Sequence, residues 1–166
     1  MSLLLSASRI STRQSSAQSK RRLDPLTPSE RSILMAGVRQ RHTGPELIVR
    51  SLLHSLRLRF TVNGPLNRSL PSRPDVVLPR WKTVILVHGC FWHRHANCRL
   101  ATTPRTRTKF WVQKFTANVA RDRLQRSLLR RAGWRVVTVW ECETRSATRL
   151  IARFTRLFEI PKRIAA

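Results

Sequence analysis

The run Val84-Ile85-Leu86-Val87-His88-Gly89-Cys90-Phe91-Trp92-His93-Arg94-His95-Ala96-Asn97-Cys98 constrains the fold of this 166-residue chain more than any other stretch. Its apolar first half reads as a strand buried on both faces, since no polar residue interrupts it. Its second half holds three of the five histidines and two of the three cysteines. The strand therefore delivers the chain directly into a loop of metal-binding side chains.

The flanking patterns supply the rest of a sheet. A short helix is expected over residues 29–40. Thr43-Gly44-Pro45-Glu46 is a helix-start signal, with Thr43 as cap and Glu46 three residues on, for a helix ending near Leu58. Residues 60–62 read as a short strand, 63–65 as a turn and 70–74 as loop, before a strand over 75–78 that begins on Asp75. A long helix is expected over 105–131, with Trp111, Phe115, Val119, Leu124 and Leu128 on its buried side and Gly133 at its end. A β-branched strand over 134–140 follows, then a helix burying Ala147, Leu150, Ile151, Phe154 and Phe158. This order argues an α/β domain with a central mixed sheet flanked by helices. Its length suits one domain, placed at 28–160 between a basic, disordered N-terminal arm (1–27) and a C-terminal tail (161–166). The arm's Ser- and Arg-rich composition also suits a transit peptide, but no small-residue cleavage site follows it.

Thirty-three Lys and Arg stand against eight Asp and Glu, a formal charge of +25. Such a surface attracts polyanions, nucleic acid first, although charge alone reads no sequence and does no chemistry. No run of eighteen apolar residues is present, so no transmembrane helix and no membrane association are expected.

Cys90, His95 and Cys98 form Cys-x4-His-x2-Cys, and Cys142 is the only thiol left to complete a four-ligand set. Three thiolates and one imidazole suit a structural zinc with no open position. Such an ion would clamp the loop to the strand end that carries Cys142. The competing reading is small buried thiols in a reducing interior.

Asp75 at a strand start, beside a second apolar strand, matches the placement of an Mg²⁺-binding acid in metal-dependent nucleases; Pro-Asp alone is most often a turn. Glu46 is the one plausible second acid, and it serves equally well as a helix-cap partner. His88 and His93 remain once His95 is assigned to the thiols. A neutral imidazole near a hydrated Mg²⁺ can accept a proton from water, and either ring could instead be structural. Phe91, Trp92 and Trp111 lie among cations and suit either wedges into a base stack or core.

Together these residues resemble the very-short-patch-repair (Vsr) DNA mismatch endonucleases. The likeness runs over residues 27–143. It is carried by Thr43-x-x-Glu46, Arg73-Pro74-Asp75, His88-Gly89-Cys90-Phe91-Trp92-His93, Thr106-Arg107-Thr108-x-Phe110-Trp111, Asn118-Val119-x-Arg121-Asp122 and Gly133-Trp134-Arg135-Val136 through Val139-Trp140-Glu141-Cys142. The resemblance implies a restriction-endonuclease-like core with a structural zinc and an Mg²⁺-dependent site. Such a site nicks one strand of double-stranded DNA on the 5′ side of the T in a T:G mismatch left by deamination of 5-methylcytosine.

By position, the resemblance implies that Asp75 and the backbone carbonyl of Val87 bind Mg²⁺ and that His93 is the general base. Glu46 and His88 would support the hydrated metal and the phosphate. Phe91, Trp92 and Trp111 would form the wedge, and Asn118 would contact DNA or the site. A monomer in the bacterial cytoplasm, associated with the nucleoid, is also implied, with mismatch-repair proteins and a cytosine methyltransferase as functional partners. Two features depart from the family pattern. Ala96 and Asn97 both separate His95 from Cys98, where one residue is usual, and the arm and extra arginines are expected to strengthen nonspecific binding at some cost in discrimination. A noncatalytic zinc-stabilised DNA-binding module, or a related nuclease of altered site preference, would share much of this sequence.

Overall fold

The computed structural model describes residues 26–37, 41–62 and 64–160. The elements in chain order are α1 (Pro28–Ala36), α2 (Gly44–Ser55), α3 (Pro65–Ser69), β1 (Val76–Leu78), β2 (Thr83–His88), α4 (Cys90–His93), α5 (Thr108–Arg131), β3 (Arg135–Trp140) and α6 (Ala147–Leu157). Short 3-10 turns occupy Pro79–Trp81 and Glu141–Arg145.

The strand β2 is the middle of a three-stranded mixed sheet, antiparallel to β1 and parallel to β3. Its alternating side chains are buried on both faces, as its unbroken apolar run predicts. Ile85 joins Val137 and Val139 against Val49 and Leu53 of α2 and Leu150 and Phe154 of α6. Val84 and Leu86 join Val77, Leu129 of α5 and Trp134 on the opposite face. The helices thus lie on both sides of a small sheet. Truncating a fully buried residue such as Ile85 to Ala would cost about 2–5 kcal/mol.

The parallel pair runs in register to His88↔Trp140, so β2 and β3 end at the same edge. That edge carries both His88-Gly89-Cys90 and Glu141-Cys142. The bond from the Cys90 N–H to Glu141 Oε2 (3.1 Å) ties the two strand exits together.

Several expectations are corrected. Residues 60–62 form no strand of their own; Thr61 makes an isolated antiparallel bridge to Val77, with two backbone bonds of 2.8 and 3.0 Å. Beyond it, Gly64-Pro65 starts the unexpected helix α3, where Pro at the first turn gives up no helical bond. Its buried Asn67 donates to the carbonyls of Thr61 and Pro74, closing this segment beneath Asp75. Residues 90–93, expected as loop, form a single helical turn.

The buried side of α5 is also not the apolar stripe expected. Phe115, Asn118, Asp122 and Leu129 are buried, whereas Leu124 is 56 % exposed and Val119 and Leu128 are only half-buried. A face through 115, 118 and 122 advances by three and four residues, which leaves 124 well round the helix. Gly133, with φ 78, ends the helix as expected, and the N–H of Trp134 bonds the Leu129 carbonyl. In α6, Leu150 and Phe154 are buried and Phe158 packs just past the end, but Ala147 is exposed. The expected helix over 29–40 is found as Pro28–Ala36, and residues 38–40 lie outside the described residues, as do most of the arm (1–25) and the tail (161–166).

Candidate active site and metal centre

Two clusters of ligating side chains grow from the turn after β2. The first joins Cys90, His95, Cys98 and Cys142, whose ligand atoms all lie within 4.8 Å of one another. His95 Nε2 is 3.3 Å from Cys90 Sγ and 3.5 Å from Cys142 Sγ. A tetrahedron on bonds of ~2.0–2.3 Å has edges of about 3.5–3.8 Å, so this donor set fits a four-coordinate ion with little adjustment. The His95 ring stacks on Trp140 at 4.2 Å, which fixes its plane.

Two residues separate His95 from Cys98. Ala96 and Asn97 form an exposed turn, and Asn97 takes φ 56, a left-handed conformation that asparagine tolerates better than most residues. Burial pushes the Cys90 thiol up to about 12 and also raises Cys142. At Cys98 desolvation works in the same direction, but the Leu100 N–H and the neighbouring thiols outweigh it and hold that thiol low. Three thiols so placed resist joint ionisation unless a cation joins them.

The second cluster joins His88, His93 and Asp122, again with ligand atoms within 4.8 Å. His88 and His93 stack at 4.1 Å with planes 12° apart, and the edge of Trp140 meets His88 at 5.3 Å. His93 Nδ1 lies 2.7 Å from Asp122 Oδ2. A carboxylate there holds the proton on Nδ1 and leaves Nε2 as a lone-pair acceptor. Burial, then the charge of His93, pulls His88 down to about 4, with Asp122 opposing. His88 is therefore uncharged near neutral pH.

Asp75 approaches the same edge from β1. The Val87 N–H donates to its Oδ2 at 2.7 Å, and among the described residues Oδ1 has no hydrogen-bond partner. Burial, together with the charge of Glu46, raises this carboxyl to about 6; the Val87 N–H, Arg50 and His93 oppose the rise. Glu46 is itself buried and caps α2, accepting from the His42 N–H (3.1 Å) and the Thr43 hydroxyl (2.9 Å). Arg50 also bonds it at 2.7 Å. Both readings of Glu46 therefore have a physical footing, as cap and as a second acid beside Asp75.

Phe91 meets Trp92, Trp111 and Phe115 edge to face at 4.9, 5.5 and 5.2 Å. The rings form one aromatic cluster between α4 and α5, with Phe115 buried and the other three half-buried. Asn118 is buried, and its amide donates to the Trp92 carbonyl at 3.0 Å, which fixes the turn carrying these rings.

The structure thus brings Asp75, His88 and His93 together, with Glu46 beside them, and separately gathers all four thiol-centre residues. Sequence reasoning gave no role to Asp122. Its signal was a lone acid among arginines, four residues after Asn118 and so on the same helix face. Glu141 was also missed, because its bond to the Cys90 N–H joins residues far apart in the chain; Arg50 was missed although its i,i+4 pairing with Glu46 is local.

Residues 23–100 match a family model described as DNA mismatch endonuclease Vsr. The chain is 43% identical over 136 residues to the type II nicking enzyme V.XorIIP of Xanthomonas oryzae, covering 82% of this chain and 97% of that protein. It is 45% identical over 120 residues to the DNA mismatch endonuclease Vsr of Escherichia coli, covering 72% of this chain and 74% of the relative. The type II nicking enzyme V.NmeAIP of Neisseria meningitidis is 36% identical over 134 residues, or 81% and 93% of the two chains.

Proposed function

The chain belongs to the Vsr family of DNA mismatch endonucleases, and from that premise we propose that it nicks one strand of duplex DNA 5′ of the T in T:G mismatches. The observation that carries the chemistry is the convergence of Asp75, His88 and the His93–Asp122 pair at the shared end of β2 and β3. Relatives named as nicking enzymes support cleavage of one strand.

The residues at Asp75 fit a hard divalent cation. A carboxyl whose pKa is raised by burial and a neighbouring acid, with one oxygen free, gains most from a positive partner. Asp75 and the Val87 carbonyl would hold Mg²⁺, with Glu46 and His88 supporting its water shell and the phosphate. Bound there, Mg²⁺ would polarise the scissile phosphate and offset charge in the transition state.

The chain's own groups do the remaining work. His93 takes the proton of the attacking water at Nε2, and Asp122 holds the ring for that transfer by its bond to Nδ1. His88, uncharged and stacked on His93, keeps that ring plane in place. Cys90, His95, Cys98 and Cys142 would bind zinc, which stiffens the loop that presents His93. Phe91, Trp92 and Trp111 form the wedge that opens the stack beside the mismatch, and Asn118 anchors it through the Trp92 carbonyl. The core is of the restriction-endonuclease type, with the site at the sheet edge.

Strand-resolved nicking of T:G and matched duplexes, with Mg²⁺ or EDTA, tests the reading. A single nick on the T strand of the mismatched duplex, abolished by EDTA, is expected. Equal cutting of both duplexes, or full activity in EDTA, would overturn it. Tight DNA binding with no nicking would favour the noncatalytic module.

A further inference from the structure

Beside the site, one face of α5 carries Arg123, Arg126, Ser127, Arg130 and Arg131, spaced by three and four residues along a single stripe. These five side chains line one groove of about 420 Å³, with no acid among them. Among the described residues none of the four guanidinium groups forms an ion pair with a carboxylate. Like charges one turn apart on a helix repel, at a few tenths of a kcal/mol per pair. Arg130 and Arg131 lie in the last turn, where the helix dipole favours cations, but Arg123 lies two turns earlier and gains nothing from it. A polyanion along the stripe would relieve that repulsion, and the exposed Ser127 at its centre offers it a hydroxyl donor.

The stripe continues toward the site. A second groove, lined by Arg94, Phe115, Thr116, Val119, Ala120 and Arg123, shares Arg123 with the first and reaches the aromatic cluster. Arg94 is occupied by the Thr102 carbonyl and the Phe115 ring, and Arg126 bonds the Asp122 carbonyl, so among the described residues Arg123, Arg130 and Arg131 are the cations of the track without a hydrogen-bonded partner. From residue 115 to 131 the helix rises about 24 Å. That length spans about seven base-pair steps of duplex axis at 3.4 Å each, and the arginines from 123 to 131 cover about half of it. Asp122 turns inward from the same helix to His93 while Arg126 of the stripe bonds its carbonyl, so the stripe adjoins the residue that holds His93.

We infer that this arginine stripe is a second contact line for duplex DNA, gripping the phosphate backbone that flanks the nicked position without reading its sequence. The inference rests on DNA being the substrate, and it adds a surface the chemistry does not use. It predicts affinity shared equally by mismatched and matched duplexes.

The test is the salt dependence of duplex binding by the full-length protein, followed by fluorescence anisotropy on a T:G duplex and its matched counterpart. The parent is compared with R123Q/R130Q/R131Q and with the charge-retaining R123K/R130K/R131K. Arg126 stays in place because its Nε donates to the Asp122 carbonyl. The Gln variant is expected to flatten the slope of log K against log salt by about 2–3. Its affinity falls by the same factor on both duplexes, its single-turnover nicking at saturating protein is unchanged, and the Lys variant keeps the parent slope. An unchanged slope, a loss confined to the mismatched duplex, or a Lys variant that behaves like the Gln variant would overturn the inference. A parent that binds but does not nick T:G duplexes would sink the nicking reading, while the slope difference would still decide the stripe.

Discussion

The two ligand clusters that grow from one turn after β2 have opposite characters. In the cysteine cluster every donor faces the others: His95 lies against both Cys90 and Cys142, and Cys90 is fully buried. In the histidine cluster the groups are paired on one side and open on the other. His93 is bonded to Asp122 through Nδ1 and keeps Nε2, and Asp75 accepts from the Val87 N–H at Oδ2 and keeps Oδ1. A closed set of soft donors stabilises, whereas an open set of hard oxygens and imidazoles is available for chemistry. The sequence separates the two sets by as little as one residue, since Cys90 and His95 belong to one and His88 and His93 to the other.

That contrast breaks most visibly at the cysteines. Cys142→Ser is expected to remove stoichiometric zinc and lower the melting temperature by more than about 10 °C, because metal binding contributes directly to folding. Metal analysis with calorimetry checks this, and full zinc retention would contradict a closed site. Asp75→Asn should do the reverse. Nicking falls by about 1000-fold or more, since a metal clamp on the phosphate supplies several kcal/mol of the barrier reduction. Zinc content stays whole.

His93→Ala is expected to slow single-turnover nicking by about 100- to 10,000-fold with DNA affinity retained. Asp122→Asn, which removes the carboxylate that holds His93, should cost about tenfold or more. Its effect lies in the rate at saturating protein rather than in binding, and a change confined to affinity would remove Asp122 from the positioning role.

Much of this arrangement is legible in the sequence, for local reasons. The β2 run, the capping signal at Thr43-Glu46 and the glycine stop at Gly133 are each written in adjacent residues, and each is found in the structure. The thiol set is legible because so few residue types bind soft metals. What the sequence hides is pairing over distance. Asp122 meets His93 across 29 residues, and Asn67 closes the segment beneath Asp75 only after α3 has formed. Leu124 misleads because apolar spacing on a long helix does not say which polar residues will be buried instead.

The smallest expected effects are on stability. The Asp75 carboxyl is held near 6 in the fold against 3.8 in the open chain, so between those values the folded state binds the extra proton. Stability from this group is therefore lost as pH rises through that window. Asp75→Asn should consequently melt a few °C higher than the parent at pH 8. His88 runs the other way. Held near 4 against 6.5, it contributes stability that is present above 6.5 and lost as pH falls toward 4. Thermal melts of His88→Gln and the parent over this range would show a weaker acid dependence in the variant, and identical curves would contradict the buried neutral ring.

The division between a closed stabilising cluster and an open reactive one is tested most directly by one comparison. It is the single-turnover nicking rate of a T:G duplex by parent and Asp75→Asn protein, both at full zinc occupancy, in Mg²⁺. The parent is expected to nick 5′ of the mismatched T while the variant, equally folded and equally loaded with zinc, is slower by about 1000-fold or more. Equal rates in the two proteins would contradict the account.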